Sequence, residues 1–129
     1  MILVDTSVWI AYLRNDQTEA VDRLWAYTFT QDIIAGDLIL LEVLQGTRDD
    51  GHARHVRQQL EAFPTVNLLD EKIAIRAAEN YRTLRARGRT ISKITDLIIG
   101  TFCIERGHRL LHSDRDFTPM VEHLGLQLA

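Results

Sequence analysis

The sequence predicts an α/β fold: a mostly parallel sheet with helices on both faces. Two observations carry this. Short apolar runs such as "ILV", "IIA" and the "LL" of "HRLLHSD" recur along the 129 residues, and strands buried on both faces read as continuous apolar runs rather than alternations. Longer segments between them begin and end with helix-capping residues, the pattern of strands joined by helical crossovers.

Met1 to Val4 form the first strand, and Val8 to Leu13 a short helix broken by the polar "RNDQ". Thr18 starts an amphipathic helix whose Val21, Leu24, Trp25 and Phe29 share roughly one face, which assigns both aromatics to the core. Ile33 to Ala35 make a second strand, followed by a helix that Asp37 caps and Gly46 ends. A polar helix from about His52 to Phe63 is closed by Pro64, with a short strand at Val66. "DEKIAIRAAENYRTLRARG" is the clearest helix: Asp70 caps it, Ile73, Ala77 and Leu84 form its apolar side, and Gly88 stops it. "SKITDLIIGTFCIERG" is a second capped helix, almost continuously apolar and so buried between layers, with Gly107 at its end. A strand in "HRLLHSD", a short helix from "DRDF" and a last strand over Leu126 to Leu128 complete the chain.

Length fits one domain over residues 1–129, and no repeat, linker or low-complexity tract divides it. With 46% hydrophobic and 26% charged residues the composition is that of a globular protein with a real core. A net charge of −3 gives no overall basic surface, so contact with nucleic acid requires a local patch. The single cysteine, Cys103, excludes an internal disulfide and Cys-based zinc patterns. No signal-peptide pattern or membrane-length apolar run is present, and a cytoplasmic location is the expectation.

Four carboxylates stand in unexpected company. Asp5 and Asp114 each follow an apolar strand, which in a parallel sheet places them at the carboxyl edge where such folds hold ligands. Glu42 in "LLEVLQG" and Asp96 in "TDLIIGTFC" interrupt apolar helices. Singly, each admits a cap, a rim position or a buried ion pair. Together, buried like charges repel unless a cation neutralises them, and an all-oxygen set suits Mg2+ or Mn2+ rather than zinc. Four or five acids leave room for one or two ions, and two ions can serve hydrolysis of a phosphodiester. Asp116, two residues past Asp114, is either a further ligand or a helix cap.

The set "VDTSVWIAYL", "LLEVLQG", "TDLIIGTFCIERG" and "LLHSDRDF", in this order and nearly end to end, resembles a PIN-domain ribonuclease, and specifically a VapC-type toxin of a toxin–antitoxin pair. The resemblance implies an α/β/α sandwich with a parallel sheet of four or five strands. It implies catalytic and metal-binding roles for Asp5, Glu42, Asp96 and Asp114, with Asp116 as a frequent fifth member, and support of Asp5 by Ser7. It further implies a structured RNA substrate such as tRNA or ribosomal RNA, cut to leave a 5′-phosphate, a homodimer, and a cognate VapB-type antitoxin. One departure stands out: where the family often has Thr two residues before the fourth acid, this chain has His112, which either orients a water or phosphate or simply packs.

"RTLRARGRTISK" supplies Arg87, Arg89 and Lys93 upstream of Asp96, and Arg115 lies inside "DRD"; these are candidate RNA-backbone contacts, against the simpler reading of cations at a helix C-terminus. The apolar surfaces of "SVWIAYLRN" and of the helix holding Trp25 are candidate protein contacts, though ordinary core is their simpler use. The competing readings are a catalytically inert PIN-like module that binds RNA or protein, a CheY-like receiver and a phosphatase of small molecules. A receiver requires adjacent early acids and a phosphoacceptor Asp near the middle, where this chain has "GHARHVRQQ".

Overall fold

The computed structural model describes residues 1–129. Its strands are β1 (Ile2–Val4), β2 (Ile33–Gly36), β3 (Thr65–Val66) and β4 (Arg109–Leu111), and its helices are α1 (Thr6–Leu13), α2 (Glu19–Tyr27), α3 (Asp37–Gln45), α4 (Asp50–Leu60), α5 (Glu71–Ala86), α6 (Ile94–Arg106) and α7 (Thr118–Leu124). A 3₁₀ turn over Arg115–Phe117 precedes α7.

The four strands pair in the order β3-β2-β1-β4, all parallel, with Leu3 opposite Ile34 on one side and Leu110 on the other. From β1 the chain steps through β2 to β3 and then crosses back to β4 on the far side of β1. Right-handed crossovers run in opposite directions put their helices on opposite faces. Accordingly α1 touches α2 and α3, and α3 touches α4, while α5 packs on α6 and α7. The reversal of strand order falls between β1 and β4, and the crevice outside their carboxyl ends is where such sheets hold ligands. Every residue of β1 is buried because both faces are covered.

Local chemistry accounts for the helix ends. Asp5, Thr18, Asp49 and Asp70 each accept a first-turn N–H as N-caps, and Gly107 and Gly125 end α6 and α7 in the left-handed region. Gly100 lets α6 lie close to α7, since a Cβ there would run into Met120. No helix is long and apolar enough to cross a membrane.

Several expectations need correction. Leu126 to Leu128 form no strand: only a bridge from Leu128 to Leu110 joins them to β4, so the sheet has four strands. Trp25 and Phe29 are not core, being 53% and 85% exposed, because α2 ends at Tyr27 and buries Ala20, Val21 and Leu24 instead. Asp37 does not cap α3. Gly36 holds that position, while the Asp37 carboxylate accepts N–H bonds from Leu38 (2.8 Å) and, across the fold, from Leu68 (3.0 Å). At α6 the capping position falls to Lys93, which makes no side-chain cap bond.

Candidate metal centre

The carboxyl ends of β1 and β4 meet at the strand reversal. The Asp5 N–H donates to the Leu111 carbonyl (2.9 Å), so one residue past β1 is pinned to the last residue of β4. Asp5 is a helix cap and a site candidate at once: its Oδ2 accepts from the Ser7 N–H (3.3 Å) and the Ser7 hydroxyl (2.7 Å). Ser7 Oγ in turn accepts the Ser113 N–H (3.4 Å), which links the α1 turn to the segment leading into Asp114. Burial pushes the Asp5 carboxyl above its ordinary value; the Ser7 bonds oppose this, and the charge of Glu42 adds to it.

Asp96 projects from the first turn of α6 and is only 5% exposed. Its Oδ2 is buried without a hydrogen-bond partner. Carboxylate oxygens of Asp96, Asp114 and Asp116 converge within 4.8 Å of one another. Burial first, and then the charge of Asp5, pushes Asp96 up to about 7; Lys93 opposes the rise, and Asp114 and Asp116 reinforce it. A buried carboxylate without a partner, among like charges, is an unfavourable arrangement for a protein to keep unless a cation completes it. The donor set is oxygen throughout, which fits Mg2+ or Mn2+ and not zinc.

Asp114 and Asp116 share one loop. Asp114 Oδ1 accepts the Asp116 N–H (3.0 Å), making Asp114 the cap of the 3₁₀ turn and leaving Asp116 free of the capping role. His112 bonds to this loop. Its Nδ1 accepts the Asp114 N–H (3.0 Å), which puts the ring proton on Nε2, and its ring packs on buried Phe117 at 5.0 Å. Burial lowers its pKa against the opposing charges of Asp5 and Asp114, so it is neutral at pH 7.

Glu42 stands outside the trio of Asp96, Asp114 and Asp116, and its charge is felt at Asp5. The fully buried residues of α3 are Ile39 and Val43, and Glu42 is half-buried at the margin rather than on the buried face expected for it. Its partner is Thr6, whose hydroxyl donates to Oε1 (2.9 Å). Thr6 was not among the sequence candidates. Its signal, a hydroxyl next to Asp5, acquires meaning only once α1 is known to pack on α3. Thr6→Val is expected to free the Glu42 side chain and reduce turnover on the order of tenfold, one lost hydrogen bond to a charged group, with Tm little changed. Wild-type turnover in that variant would remove Thr6 from the site.

The basic candidates divide. Arg89 is engaged by Glu122 (2.6 Å), whereas Arg87, Lys93 and Arg115 are exposed and enter none of the ion pairs. Arg87 also occupies the C-cap position of α5, where a cation complements the helix dipole.

The PIN domain family matches residues 2–121, a span that holds the whole sheet and the acid cluster at its strand reversal. The chain is 34% identical over 133 aligned positions to the ribonuclease VapC11 of Mycobacterium tuberculosis and to a VapC ribonuclease of Mycobacterium bovis, covering 100% of this chain and 98% of each relative. The chain belongs to the PIN-domain family and, within it, to the VapC ribonucleases. Similar folds occur in VapBC2 of Rickettsia felis bound to a promoter DNA fragment (TM-score 0.81, 16% identity, 100% and 98% of the two chains) and in the sarcin-ricin loop cleaving toxin VapC20 of Mycobacterium tuberculosis (TM-score 0.67, 20% identity, 92% and 93%).

Proposed function

We propose that this chain is a metal-dependent endoribonuclease toxin that hydrolyses RNA phosphodiester bonds and is neutralised by a cognate VapB-type antitoxin. The observation that carries the reading is the buried, unpartnered Oδ2 of Asp96 beside Asp114 and Asp116, in a chain of the VapC family. Asp96, Asp114 and Asp116 hold the ion. Asp5, fixed by Ser7, and Glu42, fixed by Thr6, complete the acid set. Bound there, Mg2+ or Mn2+ supplies activation of the attacking water and neutralisation of charge at phosphorus, as one ion or two. His112 holds the Asp114 backbone in place, and its neutral state adds no charge against the ion.

Arg87, Lys93 and Arg115 receive the RNA backbone, with a lesser part for Arg89, whose guanidinium is already paired. Arg87→Glu is expected to weaken RNA binding and to lower the slope of log affinity against log salt by about one, the loss of roughly one phosphate contact. An unchanged slope across the titration would remove Arg87 from the interface.

An rRNA loop or tRNA is the target we favour, supported by one structural neighbour, VapC20, being a sarcin-ricin loop cleaving toxin. Antitoxin pairing is supported by neighbours solved as VapBC complexes. We also propose a homodimer and a cytoplasmic location. Purified, antitoxin-free protein is expected to cut total RNA at discrete positions with Mg2+ or Mn2+ and to leave it intact in EDTA. Intact RNA with either metal, from folded protein, would overturn the reading.

A further inference from the structure

Next to the acid cluster, and separate from it, lies a polar cavity of about 330 Å3, walled by Thr18, Glu19 and Arg23 at the start of α2 and by His112 and Ser113 beyond β4. That is the lower end of the range of about 300–1,000 Å3 typical of small-ligand pockets. We propose that this cavity receives a nucleobase of the RNA strand next to the scissile phosphate, and that its chemistry selects guanine. The inference rests on the reading of the acid cluster as an RNA-cleaving centre.

Position comes first. Ser113 immediately precedes Asp114, its N–H bonds to the Ser7 hydroxyl that supports Asp5, and His112 accepts the Asp114 N–H. The cavity wall is thus the same backbone that sets the acids, and an RNA strand with its phosphate at the cluster brings a neighbouring base to this wall.

The lining distinguishes a base from a phosphate. Arg23 makes two contacts at this wall: its Nη2 donates to Glu19 Oε1 (2.8 Å) and its Nη1 to the backbone oxygen of Ala129 (3.3 Å). A guanidinium carries five N–H donors, so donors remain for a ligand. Thr18 Oγ1 accepts the Val21 N–H (3.1 Å), which leaves its O–H to donate, and the Nε2–H of His112 is likewise a donor. Glu19 contributes a carboxylate that repels phosphate but accepts N–H groups. A wall of several donors with one acidic acceptor matches a base edge. Guanine offers O6 and N7 to an arginine fork, the commonest specific arginine contact, and N1–H and N2–H to a carboxylate.

The test is sequencing of the cleaved 5′ ends from RNA digested by the wild-type protein and by Glu19→Gln and Arg23→Gln. The Glu19 side chain is 82% exposed, so Glu19→Gln leaves the fold intact, and Mn2+ titration of both variants confirms that the acid cluster is intact. The wild type is expected to cut with guanine enriched at a fixed position beside the scissile bond, and either variant to lower that enrichment on the order of tenfold, about the worth of one good base contact. Variants that keep the wild-type base pattern would overturn the assignment while leaving the nuclease standing. Cuts reduced equally at all sequences, with a lower salt slope, would mean that the cavity holds backbone phosphate and that the base assignment is wrong. A wild type that cuts no RNA with metal would instead remove the nuclease reading, and this inference with it.

Discussion

Asp96→Asn is expected to make the metal-free protein more stable at pH 8 while abolishing RNA cleavage. Burial and the charges of Asp5, Asp114 and Asp116 push this carboxyl from 3.8 up to about 7, so its ionised form costs folding free energy. Well below pH 3.8 the carboxyl is protonated in both the folded and the unfolded chain, and no penalty applies. As pH rises from about 4 to 7 the unfolded chain ionises first, and stability falls progressively; above 7 the full penalty is present. Converted directly, that displacement is on the order of 4 kcal/mol as an upper bound, since coupling among the acids and relaxation both reduce it. The amide removes the charge and keeps the shape. We therefore expect Tm to rise by several degrees at pH 8 and not at pH 4. A Tm that falls at pH 8 would show that Asp96 is a satisfied structural residue instead.

Metal affinity is expected to rise with pH in a defined window. Binding displaces the Asp96 proton, so the Mn2+ association constant should increase about tenfold per pH unit from 5 up to about 7 and level off above it. Asp5, also raised, adds steepness at the acid end. Calorimetric titrations in buffers of different ionisation enthalpy would count the protons released, with one or more below pH 7. Affinity independent of pH over this range would place the ion away from Asp96.

Asp5 and Asp96 could be found in the sequence because each breaks an apolar run: a charge after "ILV" or before "LIIG" needs a reason that solvation does not supply. The parallel sheet was legible for the same reason, since strands covered on both faces lose their alternation. Glu42 was found through its apolar neighbours, yet it stands beside the buried stripe of α3 rather than on it. Its support by Thr6, like the bond from the Leu68 N–H to Asp37, joins segments far apart in sequence and leaves no local pattern. The 126–128 segment misled in the opposite direction, because "LQL" has strand-like alternation but makes only a single bridge to β4. Phe29 misled through helix length, since a helix ended at Tyr27 leaves it off the face that periodicity assigned to it, whereas Trp25 lies within α2 beside its buried Ala20, Val21 and Leu24, against Tyr12.

The central claim is that Asp96, Asp114 and Asp116 form a metal centre that cleaves RNA. Its most direct measurement is Mn2+ binding by calorimetry, paired with total-RNA cleavage in the same samples, for the wild type and Asp96→Asn at pH 7.5. Saturable binding and discrete cleavage by the wild type, both lost in the variant while its fold persists, are the predicted result. A folded wild type that binds no metal and cuts no RNA would contradict the claim and leave a PIN-like module that binds without catalysis.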